Sequence, residues 1–196
     1  MAKTIDFYFD FSSPYGFYGS LFIDNLGVDT SWRPYLMGAA MKETGIPALI
    51  DVPYKREYAW IDLKRTARLN NEEFWMPSYF PFASVQVCRA FYVIENLNGH
   101  AQAKEFAVNA MRNIWARGGS NMSDINDIVE LSGIKNLQDL IGNQPIKDRL
   151  RAVTNEALKR GCWGSPHYFV NDGDASEHFW GSDKRWQIER WLDKPW

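Results

Sequence analysis

The segment Phe11-Ser12-Ser13-Pro14-Tyr15-Gly16 has the residue types of a helix start that could do chemistry. Serine is favoured as the N-cap of a helix and proline at its first position, so Ser13-Pro14 predicts that a helix begins here. The free N–H groups and the positive dipole end of a helix N-terminus stabilise an anion such as a thiolate. The hydroxyl of Ser13 could donate a hydrogen bond to a thiolate and lower its pKa, or it could serve as a helix cap alone.

Two further segments could bind the ends of a small peptide-like ligand. In Trp163-Gly164-Ser165-Pro166, a cis proline would turn the backbone of Ser165 outward to pair with such a ligand, whereas a trans proline would only begin a strand. In Trp180-Gly181-Ser182-Asp183, Ser182 and the first N–H groups of a helix could hold a carboxylate, and Asp183 could hold an ammonium. An amino-acid head group carries that pair of charges; alternatively, Ser182 only caps a helix.

The other charged and titratable residues point less directly to a site. Lys55 lies in a segment from Pro53 to Leu69 that mixes cations with aromatic residues, and it could bind a second carboxylate or belong to a solvated helix face. The three histidines have no metal-binding spacing, so a metal site is not expected. Ser13 also lacks the G-x-S-x-G surroundings of a serine hydrolase.

Composition narrows the class of partner and the compartment. The 196 residues carry 22 Lys and Arg against 24 Asp and Glu, so neither nucleic acid nor a membrane is an expected partner. Cys88 and Cys162 form no C-x-x-C pair, which excludes thiol–disulfide exchange by the protein at the start of the first helix. Free cysteines and an N-terminus without a secretion signal predict a cytoplasmic location.

Hydrophobic periodicity predicts the scaffold that positions these segments. Thr4 to Phe11 alternates as a strand does, with its apolar residues on one face. A helical stripe then runs to Gly27, a second strand spans about Val28 to Leu36, and helical periods fill roughly residues 38–160.

A hairpin and a last helix follow. The strands are His167 to Val170 and His178 to Trp180 around a turn at Asn171-Asp172-Gly173, and the helix is expected to begin at Ser182-Asp183. The βαβ…ββα order predicts an α/β thioredoxin-like fold with a large inserted helical domain. We expect residues 1–37 and 161–196 to form the thioredoxin-like domain and residues 38–160 to form the insertion.

In combination, these motifs resemble the family that contains kappa-class glutathione transferases and 2-hydroxychromene-2-carboxylate isomerases, within the DsbA-like thioredoxin superfamily. The resemblance covers almost the whole chain and is most specific in Phe9 to Tyr15, Trp163 to Pro166 and Trp180 to Asp183. The chain departs from the family pattern at Ile46, where the family usually has asparagine, and at Lys184, where it usually has arginine.

The resemblance implies glutathione as the cofactor. It implies that Ser13 contacts the glutathione sulfur and that Ser165, before a cis Pro166, pairs through its backbone with the cysteinyl part. Ser182 and Asp183 would hold the γ-glutamyl head group, and Lys55 would lie near the glycine carboxylate. Candidates for an aromatic substrate pocket and for a cation beside the substrate carboxylate are Tyr15, Phe80, Phe82, Trp180, Lys184 and Arg185.

By the same resemblance, we expect a homodimeric, glutathione-dependent isomerase of an aromatic unsaturated ketoacid. Such an enzyme interconverts 2-hydroxychromene-2-carboxylate and trans-o-hydroxybenzylidenepyruvate in aromatic compound catabolism. The alternatives are a kappa-class glutathione S-transferase or peroxidase and a non-catalytic binding protein on a DsbA-like scaffold.

Overall fold

A mixed sheet lies at the centre of the computed structural model, which describes residues 2–173 and 175–196. Its strand order is β2-β1-β3-β4, with bounds β1 (Lys3–Phe9), β2 (Asp29–Pro34), β3 (His167–Asp172) and β4 (Ala175–Trp180). β2 is parallel to β1, whereas β3 is antiparallel to both of its neighbours. This arrangement confirms the predicted thioredoxin-like α/β fold, with β2 and β4 at the edges.

Helices pack on the sheet and on one another. They are α1 (Pro14–Ile23), α2 (Met37–Thr44), α3 (Pro53–Leu69), α4 (Val85–Asn98), α5 (His100–Trp115), α6 (Ile125–Ser132), α7 (Leu137–Ile141), α8 (Gln144–Lys159) and α9 (Arg185–Asp193). α2 to α8 occupy the stretch between β2 and β3 that the sequence predicts to be helical. Within the two described ranges, none of these helices is both long and apolar enough to cross a membrane.

The alternation of β1 separates two apolar cores. Ile5, Phe7 and Phe9 lie in the larger core with side chains of α1, α4 and α5. Tyr8, on the other face, packs with Tyr35 in a smaller core that includes residues of α2 and α8. The face expected to be polar is therefore covered as well, and even Asp10 is buried just after β1.

The last helix begins later than the sequence predicts. α9 starts at Arg185 with Lys184 as its N-cap, and Ser182 and Asp183 form a turn instead. Gly181, at φ 113°, has a backbone conformation outside the helical range, and the carboxylate of Asp183 folds back over it. The prediction that Ser182 starts this helix is wrong for that reason.

The hairpin is longer than predicted. Asn171 and Asp172 pair with Ser176 and Ala175, so they belong to the ladder and not to the turn. The chain reverses only after Asp172, where Gly173 has φ 61°. Backbone pairing therefore extends both strands beyond the apolar residues that predict them.

Close packing at Gly19 brings α1 against the start of β3. A Cβ at this position would lie 2.3 Å from the hydroxyl oxygen of Tyr168 and 2.9 Å from Cγ of Pro166. Gly38, in α2, has no atom within 4 Å of the same point. Only the first of these two helical glycines is required by its neighbours.

We therefore expect Gly19→Ala and Gly38→Ala to change stability in opposite directions. Gly19→Ala should lower the free energy of unfolding by about 1–3 kcal/mol through overpacking. Gly38→Ala should raise it by about 0.5–1 kcal/mol, because alanine is the better helix former. Urea denaturation of both variants measures the difference, and an equal response would show that the contact at Gly19 is not tight.

Candidate active site

Ser13 joins the start of α1 to the loop before β3. Its Oγ accepts a hydrogen bond from the N–H of Gly16 at 3.1 Å, which confirms the predicted N-cap. The same hydroxyl donates to the carbonyl oxygen of Ser165 at 3.1 Å. Two residues that the sequence assigns to separate segments are thus in direct contact, 152 positions apart.

The loop from Trp163 to Pro166 is held by several other bonds. Ser165-Pro166 is cis, as predicted. Oγ of Ser165 accepts from the N–H of Asp10 at 3.0 Å, and the carbonyl of Gly164 accepts from the Tyr35 hydroxyl. The N–H of Ser165 has no hydrogen-bond partner in the described part of the chain. Its donor therefore remains available to a ligand.

The glycine at position 16 permits the start of α1 to lie close to Ser165. A Cβ on Gly16 would lie 2.8 Å from Oγ of Ser165 and 3.1 Å from the carbonyl oxygen of Asp10.

The next N–H toward the helix start, that of Tyr15, has no protein acceptor among residues 2–173 and 175–196. The start of α1 therefore offers a free N–H beside the Ser13 hydroxyl, as an anion requires.

Asp10 lies buried beneath this helix start. Its carboxylate accepts from the N–H and the hydroxyl of Ser12, both at 2.8 Å, and from the N–H of Met37, the first residue of α2, at 2.7 Å. Burial raises the pKa of the Asp10 carboxyl, and these hydrogen bonds oppose the rise because they favour the ionised form. One side chain therefore fixes both the turn before α1 and the start of α2.

Tyr15 connects the helix start to α3. Its hydroxyl donates to the carboxylate of Asp62 at 3.1 Å, and Asp62 also pairs with Arg65 at 3.1 Å. Burial, together with the charges of Asp62 and Asp183, raises the pKa of Tyr15 well above its ordinary value. The N–H of Gly181 donates to the carbonyl of Pro166 at 3.1 Å, which places the turn before α9 beside the cis-proline loop.

Asp183 is exposed and paired with its neighbour. Three quarters (75%) of its side chain is open to solvent, and an oxygen lies 3.0 Å from Nζ of Lys184. Arg185 pairs with Glu189 at 2.8 Å. Ser182 takes part in the turn and makes no hydrogen bond with Ser13 or Ser165 within the described residues. Its predicted role as a helix cap is therefore replaced by a turn position.

Lys55 lies apart from the contacts that link the other residues. It is exposed on the first turn of α3, two turns before Asp62, which places it about 10 Å along the helix axis from that carboxylate. No hydrogen bond or ion pair to Lys55 is found in the part of the chain that the structure describes. Its assignment to a ligand carboxylate stays a prediction.

Two groups of aromatic residues pack beside segments of the site. Phe80 and Phe82 pack on the indole of Trp115, with ring centroids 5.5 and 6.4 Å away, and the indole N–H of Trp115 donates to the carbonyl of Phe11. Trp180 is 44% exposed and packs on Trp163 in a tilted arrangement, with ring centroids 4.1 Å apart. Phe80 and Phe82 are therefore linked through Trp115 to the chain just before α1, and Trp180 is linked to the cis-proline loop. Their assignment to a substrate pocket stays a prediction.

Neither thiol of the protein is available for chemistry. Cys88 and Cys162 are buried, and burial raises the pKa of Cys88 well above its ordinary value and that of Cys162 to about 12. A protonated, buried thiol is a poor nucleophile. A reactive sulfur at the start of α1 must therefore come from a ligand.

Sequence reasoning missed three residues that build the site. Asp10 lies in the alternating segment from Thr4 to Phe11, which predicts only a strand position for it. An Asp two residues before a serine is also typical of an Asx turn. The hydroxyl of Tyr35 and the ring of His167 also hold the Trp163–Pro166 loop, and no local signal marks either of them. His167 and His178 are adjacent in space, which their separation of 11 positions in the sequence does not indicate.

A family model described as a DSBA-like thioredoxin domain matches residues 4–193. The chain belongs to this family. Its DsbA-like sheet and the helix start after β1 are the framework just described. In this chain Ser13 and Gly16, and not two cysteines, occupy that helix start.

Relatives of this chain are named as kappa glutathione S-transferases and as 2-hydroxychromene-2-carboxylate isomerases. The chain is 27% identical to Glutathione S-transferase kappa 1 of Caenorhabditis elegans, over 97% of this chain and 91% of that one. It is 28% identical to 2-hydroxychromene-2-carboxylate isomerase of Sphingobium xenophagum, over 98% and 99% of the two chains. A solved 2-hydroxychromene-2-carboxylate isomerase shares the fold with a TM-score of 0.83 at 22% identity, over 97% and 95% of the chains.

Asp10→Asn should destabilise the domain because one amide cannot accept all three hydrogen bonds. Asparagine has one oxygen and one NH₂ group in place of the two carboxylate oxygens. If its oxygen faces the N–H of Met37, the donors of Ser12 are left unsatisfied. If its NH₂ group faces that N–H, two donors oppose each other. We expect a loss of about 1.5–3 kcal/mol in the free energy of unfolding. Urea denaturation measures it, with Asp51→Asn, at an exposed carboxylate, as the matched control. Equal midpoints for the two variants would contradict the assigned role of Asp10.

Proposed function

We propose that this protein is a glutathione-dependent isomerase of an aromatic unsaturated ketoacid, similar in activity to 2-hydroxychromene-2-carboxylate isomerase. The observation that carries the proposal is the start of α1, which presents the Ser13 hydroxyl and the free Tyr15 N–H but no cysteine. This position stabilises an anionic sulfur that the chain does not itself supply. The relatives named as isomerases and as kappa-class transferases support this choice of ligand.

The free N–H groups and the exposed charged side chains of the site fit glutathione. Glutathione presents peptide groups, one ammonium, two carboxylates and a thiol. The free N–H of Ser165 suits a peptide carbonyl, and the exposed carboxylate of Asp183 suits the ammonium. Exposed Lys55 is a cation available to the glycine carboxylate.

When bound, glutathione would supply a thiolate for reversible conjugate addition to the ketoacid, with rotation about the single bond that addition leaves. The start of α1, Ser165 and Asp183 would hold it. The residues of the chain orient and stabilise the charges in that sequence. The start of α1 favours the thiolate over the thiol, and Ser13 adds a hydrogen bond to sulfur. Lys184 or Arg185 would face the substrate carboxylate, since their ion pairs lie at the surface and exchange at little cost.

Ligand binding would also free the Ser13 hydroxyl to donate its hydrogen bond to another acceptor. In the free protein that hydrogen is donated to the carbonyl of Ser165. A peptide N–H of the ligand can take over this carbonyl, after which the Ser13 hydroxyl turns to the sulfur while its oxygen still caps α1. The number of satisfied donors and acceptors is then unchanged, which keeps the cost of the exchange small.

The direct test measures interconversion of 2-hydroxychromene-2-carboxylate and trans-o-hydroxybenzylidenepyruvate by absorbance. We expect turnover only with added glutathione and no loss of glutathione over many turnovers. Calorimetric titration of the free protein with glutathione should show saturable binding. Absence of both binding and turnover would contradict the proposal and favour a non-catalytic role.

A kappa-class transferase or peroxidase is the second candidate, because a relative of that name aligns over nearly the whole chain. Such an enzyme consumes glutathione in proportion to product. Assay with 1-chloro-2,4-dinitrobenzene and with a hydroperoxide, followed by titration of the remaining thiol, separates it from an isomerase. Stoichiometric loss of glutathione would assign the second activity.

Ser13→Ala should reduce turnover and raise the pKa of bound glutathione. Loss of one charge-assisted hydrogen bond, about 1.5–3 kcal/mol, predicts a kcat about one to two decades lower. The ultraviolet absorbance of the thiolate as a function of pH measures the pKa directly.

The variant also loses a helix cap, so its control must lose one too. Asp124→Ala removes the cap of α6, where Asp124 accepts from the N–H of Asn126 at 2.9 Å. Both variants should lose about 1 kcal/mol of stability, and only Ser13→Ala should alter the thiol. An unchanged thiol pKa in Ser13→Ala would leave Ser13 as a cap alone.

Asp183→Asn should weaken glutathione binding with little effect on kcat. Because Asp183 is mostly exposed, its pair with the ammonium is worth about 0.5–1 kcal/mol, or a Kd two- to fivefold higher. N-acetylated glutathione, which lacks the ammonium, should bind parent and variant equally. Asp193→Asn, at another exposed carboxylate, should leave both affinities unchanged. Equal weakening of both ligands by Asp183→Asn would contradict the assignment.

A further inference from the structure

His167 is a fully buried histidine directly after the cis proline. Its side chain is 0% exposed, and its Nε2 lies 3.3 Å from the N–H nitrogen of Trp163 and 3.2 Å from that of Gly164. Both groups are donors, so Nε2 must accept and cannot carry a hydrogen. The ring therefore holds the backbone of the loop that contains Ser165.

A second histidine fixes the tautomer of the first. With Nε2 unprotonated, neutral His167 carries its hydrogen on Nδ1, which lies 2.7 Å from Nε2 of His178. That atom of His178 must then accept, so neutral His178 carries its own hydrogen on Nδ1. His178 lies on the edge strand β4 and is exposed, whereas His167 is not. A proton from solvent therefore reaches the pair through His178.

The groups around His178 keep it neutral near pH 7. Its ring stacks on Phe169 at 4.2 Å, and the guanidinium of Arg160, at the end of α8, covers the other face of Phe169 at 3.7 Å. Glu177 accepts from the backbone N–H of His178 at 3.2 Å and partly offsets this cation. Partial desolvation of the ring first, where it packs on Phe169 and His167, and the charge of Arg160 second, lower the pKa of His178; burial lowers that of His167 to about 3.

We propose that His167 is a positioning residue for the glutathione site, and that protonation of His178 at acid pH loosens the loop and weakens binding. A proton on Nε2 of His178 would face the N–H of His167, donor against donor. The contact then breaks, and buried His167 is left with an unsatisfied N–H or must change tautomer and lose the N–H groups of Trp163 and Gly164. The affinity part of this inference rests on the proposed function, whereas the effect on the loop does not.

The direction in which pH changes the order of the loop follows from the linkage between proton binding and conformation. A histidine whose pKa is lower in the bound, ordered loop than in a loosened one takes up a proton when the loop loosens. Order in the loop is therefore complete above about pH 6.5, the ordinary pKa of histidine, and decreases as the pH falls below it. Ligand affinity should follow the same direction.

The affinity test uses S-methylglutathione, a thioether without a titrating thiol. Calorimetry from pH 7.5 to pH 5.0 should show a Kd for the parent protein about threefold or more higher at the acid end. His178→Gln offers a non-titrating acceptor to His167, and its Kd should stay constant over this range. His100→Gln changes the remaining histidine, which bonds to Glu95 away from the loop, and should behave as the parent does. A flat profile in the parent, or the same slope in His178→Gln, would overturn the proposal.

Nuclear magnetic resonance tests the loop without any ligand. The imidazole nitrogens of His167 should show the Nδ1–H tautomer, and the amide signals of Trp163 and Gly164 should shift between pH 7.5 and 5.0 in the parent but not in His178→Gln. If S-methylglutathione fails to bind at every pH while these signals behave as stated, the proposed function fails and the positioning role stands. An Nε2–H tautomer, or amide signals that ignore pH, would overturn the role of the histidine pair.

Discussion

The buried carboxylate of Asp10 is the constraint on which the site depends. It accepts from the N–H and hydroxyl of Ser12 and from the first N–H of α2. A charge in this place costs several kcal/mol to desolvate, and only well-aligned donors offset that cost. The turn before α1 and the start of α2 therefore have one relative position in which Asp10 is satisfied.

From Asp10 the constraint passes to the cis-proline loop through backbone groups. The N–H of Asp10 donates to Oγ of Ser165, the N–H of Ser13 donates to the carbonyl of Asp10, and the Ser13 hydroxyl donates to the carbonyl of Ser165. These three bonds close a ring among three residues. A displacement of any one of them breaks two bonds, so the helix start and the loop hold each other in place.

Local signals in the sequence predicted the parts of this arrangement that depend on neighbouring residues. Ser13-Pro14 predicts the start of α1, and the alternation of β1 predicts its two faces, because caps and pleats are properties of a few consecutive residues. The contacts of Ser13 with Ser165 and of Asp10 with Met37 join distant positions, and no pattern in one sequence specifies them. The predicted start of α9 is wrong for a related reason. Ser182-Asp183 has the composition of a helix cap, but Gly181 leads the chain into a turn there.

A hydroxyl at position 13 has consequences that a thiol there would not. A thiolate would place its charge against the carbonyl oxygen of Ser165, whereas the neutral hydroxyl donates to that oxygen and still caps α1. Among residues 2–173 and 175–196, the Ser13 hydroxyl is thus fully paired and the N–H groups of Tyr15 and Ser165 are unpaired. A ligand that brings a peptide N–H, a carbonyl and an anionic sulfur satisfies all of these groups at once. A ligand with the sulfur alone would leave the Ser165 carbonyl competing with it for one hydrogen, so peptide recognition and thiolate stabilisation are coupled through Ser13.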